Sequence, residues 1–67
     1  EEAIRAYRIA LRLNSEHADA RFGLGVALLQ TGARAEAVGE FEKLLDQNPE
    51  YPGLKAVLAH LRSGDNR

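Results

Sequence analysis

At 67 residues the chain is one domain at most, and a core of that size is marginal in isolation. It has no cysteine, so no disulfide or thiolate-metal framework supplements the core, and no apolar run reaches the ~18 residues of a membrane span. Nine basic and ten acidic residues, interspersed to a net of −1, form no stripe for neutralising phosphates, which sets nucleic-acid binding aside. No signal-peptide or lipidation pattern is legible. The absence of methionine and an opening, Glu1-Glu2-Ala3-Ile4, that already reads as helix are what a segment cut from a longer protein would show.

Residues 1 to 13 place apolar groups at 3, 4, 7, 10 and 11, a stripe of helical period with Glu1, Glu2, Arg5, Arg8 and Arg12 outside it. Acids lead and arginines follow, as the helix dipole favours. Asn14-Ser15-Glu16-His17 breaks the pattern, so the first helix is predicted to end near Leu13, with His17 a solvated loop residue.

The second helix, about Ala18 to Thr31, is apolar on two faces. Ala20, Leu24, Ala27 and Leu28 make one stripe; Phe22, Val26, Leu29 and Ala33 make another on nearly the opposite side. Such a helix is either sandwiched or half-reserved for a ligand. Gly23 and Gly25 within it each cost about 1 kcal/mol relative to alanine, so close approach of a neighbouring helix is expected there.

Gly32 suits the left-handed residue that ends a helix. The third helix follows at about Arg34 to Gln47, with Ala37, Val38, Phe41, Leu44 and Leu45 inward and Glu36, Glu40, Glu42, Lys43 and Asp46 mostly outward. So short a connection makes the two helices antiparallel neighbours. Asn48-Pro49 closes the third helix, because the residue before proline is pushed out of the α region. Pro52 is read as a first-turn residue of a fourth helix with the stripe Leu54, Leu58 and Leu61, and Ser63-Gly64-Asp65-Asn66-Arg67 as a turn or frayed tail.

These stripes repeat. Moving back 34 residues lays Ala37, Val38, Phe41, Leu44 and Leu45 onto Ala3, Ile4, Tyr7, Ala10 and Leu11, and moving forward lays Ala20, Leu24 and Ala27 onto Leu54, Leu58 and Leu61. The implied division is a trailing helix in 1–17, one complete helix pair in 18–51 and a leading or capping helix in 52–67. Arg62 then takes the place of Leu28, as suits a terminal, solvent-facing helix. The expected fold is all-α, with antiparallel helix-turn-helix repeats stacked as a short α-solenoid.

Leu24-Gly25, Ala27-Leu28, Gly32, Glu36-Ala37, Phe41, Leu45 and Pro49, over that period, resemble one full tetratricopeptide repeat (TPR). Glu2-Ala3-Ile4, Tyr7, Ala10 and Leu11 are similar to the second helix of a preceding repeat, with Ser15 where the family usually has proline, and Leu58-Ala59 to the Leu-Gly step of a following one. Arg21 departs from the pattern by replacing a large aromatic, with Phe22 one place later, and Leu44 stands where a small residue is common. The resemblance implies a TPR-like superhelix, closest packing at Gly25 and Ala37, and a concave groove lined by the first helix of each pair. Carried over by position, the groove residues are Asp19, Phe22, Val26, Leu29 and Gln30, with Ala56, His60 and Ser63 lying 34 residues after Phe22, Val26 and Leu29.

Family members that clamp a C-terminal carboxylate use basic and Asn side chains at these places. Phe22 and Val26 imply an apolar anchor instead, such as an amphipathic helix or short hydrophobic segment of a partner protein. The implied function is a non-catalytic interaction module acting as an assembly or recruitment scaffold. The alternative is a self-association scaffold, in which another copy or further repeats cover these apolar surfaces and Ile4 and Tyr7 stay partly exposed in a monomer. No metal, cofactor or general-base role is expected. His17 and His60 lack an HExxH context, a cysteine or a second histidine at helical spacing, and Gly23 and Gly25 lie inside a helix rather than in a phosphate loop.

Overall fold

A computed structural model of the chain describes residues 2–64. Four helices follow one another, α1 (Glu2–Leu13), α2 (Ala18–Gln30), α3 (Arg34–Gln47) and α4 (Leu54–Gly64), with no strand among the described residues. Ser63 and Gly64, expected in a tail, end α4; Asp65, Asn66 and Arg67, like Glu1, lie outside the described residues.

Local chemistry fixes each boundary. Beyond α1, the Asn14 side chain accepts the Glu16 N–H at 3.1 Å and the Asn14 carbonyl accepts that of His17 at 3.1 Å, turning the chain. His17 is more than a solvated loop residue, because its Nδ1 accepts the Ala20 N–H at 3.2 Å and so caps α2. At the other end of α2, Gly32 takes φ 87°, its N–H reaches the Leu29 carbonyl at 3.1 Å, and the Ala33 N–H reaches that of Leu28 at 2.9 Å. This crossed pair satisfies two carbonyls that the helix end leaves without partners.

Asn48 leaves α3 with φ −148° and ψ 78°, the extended conformation its proline neighbour requires. Pro52 differs from expectation: α4 begins at Leu54, and Pro52 stands in the turn ahead of it. Gly53 there adopts φ 79° and supplies the carbonyl that Val57 N–H reaches at 3.0 Å. A positive φ next to the proline interrupts the helical path, so the first turn starts one residue after the glycine.

The helices pack in chain order, α1 on α2, α2 on α3 and α3 on α4, and no other helix pair is in contact among the described residues. A closed bundle would bring α1 onto α4; here the row stays open, as a slab of 37 × 27 × 14 Å. Its core is Leu24 and Leu28 of α2, Ala37, Phe41 and Leu44 of α3, and Leu54, Leu58 and Leu61 of α4. Arg34, at the start of α3, donates to the Leu61 carbonyl at 2.7 Å and so caps the last turn of α4.

Burial follows the 34-residue register: Ala20, Leu24 and Ala27 are buried, and so are Leu54, Leu58 and Leu61. The comparison of α3 with α1 shows what packing against a second helix does. Ala37 and Phe41 are fully buried between α2 and α4, whereas their counterparts Ala3 and Tyr7 are exposed and half-buried, and α1 has no buried residue. Ala3 and Ala10, expected inward, therefore sit on a flank that only one helix covers. Ile9 and Leu13, outside the expected stripe, are 48% and 84% exposed.

Candidate functional site

The candidate face is built on α2, whose two glycines set how its neighbours approach. A Cβ placed on Gly23 would fall into the ring of Tyr7 from α1, and one on Gly25 would lie 2.5 Å from the ring of Phe41. Close approach at both glycines was legible in the sequence. What approaches is an aromatic ring in each case, and at Gly25 it is Phe41 rather than Ala37. Seating Phe41 there leaves its other side for Phe22, whose ring centroid lies 5.4 Å away at 53°.

Phe22 in turn meets Tyr51 from the α3–α4 connection, with centroids 5.2 Å apart and planes at 31°. The Tyr51 hydroxyl donates to Asp19 Oδ1 at 2.6 Å. That hydrogen bond, followed by partial burial and the charge of Asp19, raises the Tyr51 pKa above the ordinary tyrosine value. Tyr51 also lines a shallow cleft of about 280 Å³ with Pro49, Pro52 and Ala56.

Three of the eight sequence-derived positions, Asp19, Phe22 and Ala56, thus converge on Tyr51, which was not among them. An aromatic two places after the helix-closing Pro49 was the available signal. The other five positions extend from this cluster along two helices. Val26 is 36% exposed one turn beyond Phe22, with Leu29 half-buried and Gln30 exposed farther on; His60 and Ser63 are exposed beyond Ala56 on α4.

Polar support for α2 lies on its other flank. Arg21 is only 8% exposed, with one guanidinium nitrogen 2.7 Å from Glu40 Oε1 and another 2.9 Å from the Ser15 carbonyl. Glu40, expected outward, is half-buried by this pair. The Arg21 Nε is buried with no acceptor among the described residues. The guanidinium therefore ties the α1–α2 connection to α3, where an aromatic side chain could only pack.

No helix among the described residues is long and apolar enough to cross a membrane. A family model described as tetratricopeptide repeat matches residues 1–52 of the chain. Comparisons with curated proteins and with solved structures find no match.

Proposed function

The chain belongs to the tetratricopeptide repeat family, whose members are generally non-catalytic and mediate contact between proteins, and from that premise we propose that it is an assembly or recruitment module for one apolar polypeptide segment. The segment, an amphipathic helix or short hydrophobic stretch, lies across Asp19, Phe22, Val26, Leu29 and Gln30 of α2 and Ala56, His60 and Ser63 of α4. Residues 18–51 are the complete repeat in this reading, with 1–17 and 52–67 belonging to flanking units.

The supporting observation is the exposure of Val26. One side of α2 is consumed by the core through Leu24 and Leu28, yet its other side still presents Val26 to solvent, beside the half-buried Phe22 and Leu29. No lysine or arginine stands among the eight positions, so the chemistry favours an apolar anchor over a carboxylate.

Display of random peptides against the chain tests the proposal. Enriched peptides should carry apolar residues at helical spacing, and Val26→Asp should weaken their binding about tenfold or more while circular dichroism stays helical. Phe22→Asp is a poorer probe, because Phe22 packs on Phe41 and Tyr51 and its loss disturbs the fold. Peptides that bind the Val26→Asp chain as well as the original would overturn the assignment.

A further inference from the structure

We infer that the segment held on α2 and α4 carries a lysine or arginine side chain that pairs with Asp19, about 10 Å along the segment from the apolar residue that covers Val26. The inference rests on the binding face proposed above and names the charge its occupant brings. With histidine neutral, Asp19 is the one formally charged residue among the eight positions, and it is exposed.

The carboxylate is oriented before any partner arrives. Tyr51 donates its hydroxyl to Oδ1 at 2.6 Å, and the Tyr51 ring rests on Phe22 with centroids 5.2 Å apart. Phe22 rests in turn on the fully buried Phe41, so a run of stacked rings leads from the core to Asp19. Oδ2 takes no hydrogen bond, and no cation pairs with the carboxylate, among the described residues. An anion fixed by a neutral donor, with one oxygen still open, is a prepared seat for a cation.

The surroundings keep that seat negative. α2 and α4 start at the same end of the slab, where Tyr51 reaches back to Asp19. The two connections at that end add exposed Glu16 and Glu50, against exposed Lys55 in the first turn of α4. Arg21, in the first turn of α2, is already engaged by Glu40 at 2.7 Å. The far end of the face finishes in the neutral residues Gln30 and Ser63. Charge complementarity therefore sets both the chemistry of the segment and the direction in which it lies.

Spacing follows from helix geometry. Val26 comes seven residues after Asp19, which puts it about 10 Å along the axis on nearly the same face. A helical partner matches this with its basic residue about two turns from the apolar one, and an extended partner with a separation of about three residues.

Peptides selected from a random display library against the full chain test this. Those with the apolar pattern should share a lysine or arginine at one of these separations. Replacing that residue by glutamine should weaken binding about three- to fivefold at low salt, and so should Asp19→Asn, which still accepts from Tyr51. Both changes together should cost no more than either one, and the loss should shrink at high salt. Val26→Asp should weaken the glutamine peptide too, because the apolar contact is separate. Selected peptides that lack the basic residue yet lose binding to Val26→Asp, or a basic residue whose loss adds fully to that of Asp19→Asn, would overturn the inference and leave the binding face standing. Peptides indifferent to Val26→Asp would remove the face and the inference with it.

Discussion

Glycine shows how one missing side chain has opposite consequences at different places in the same small fold. At Gly25 an added Cβ would press on Phe41, which has no exposed surface and no room to retreat. Overpacking of that kind costs about 1–3 kcal/mol and outweighs the roughly 1 kcal/mol that alanine gains in a helix. Gly39, on α3, has nothing within 4 Å of the place a Cβ would take. Gly25→Ala is therefore expected to lower the thermal midpoint by about 5–10 °C, and Gly39→Ala to raise it by about 4 °C, as read by circular dichroism. A midpoint that rises in both variants would show that Phe41 is not seated on Gly25. Tyr7, over Gly23, is half-buried and has space to swing outward, so Gly23→Ala should fall between the two.

Between elements, Tyr51 ties the α3–α4 connection back to the first turn of α2 through Asp19. Its pKa is raised in the folded chain, first by that hydrogen bond, then by burial and by the Asp19 charge, so folding favours the neutral phenol. The contribution is fully present below the ordinary tyrosine value of about 10 and is lost as pH rises through the higher folded value. Denaturation midpoints taken from pH 8 upward should therefore fall more steeply for the original chain than for Tyr51→Phe once the pH passes about 10. Parallel curves would show that the Tyr51–Asp19 bond is absent in solution.

Elements of this kind were largely legible in the sequence, because local residues end the helices: Gly32 by its positive φ, and Asn48 by the proline after it. Val26 and Phe22 could likewise be placed on one side of α2 from helical spacing alone. Contacts across long separations could not. The Arg21–Glu40 pair, the Tyr51–Asp19 bond and the seating of each ring on a particular glycine depend on which helix covers which flank, and a one-dimensional pattern does not encode that. His17 and Pro52 were missed for a local reason. An imidazole is an uncommon helix cap, and the positive φ of Gly53 overrode the usual preference for proline in a first turn.

At the scale of the whole molecule, the described helices are held together by neighbour-to-neighbour packing alone. Among the described residues, large apolar side chains are exposed at Ile9 and Leu13 on α1 and at Val26 on α2. Val26 lies on the side of α2 away from Leu24 and Leu28, the side on which the proposed segment would sit.

The most direct test follows backbone amide shifts of the isotope-labelled chain as a display-selected peptide is added. The expected result is shifts concentrated at Phe22, Val26, Leu29, Ala56 and His60, with Ile9 and Leu13 unmoved. Shifts centred on α1, with Val26 and His60 unchanged, would contradict the reading.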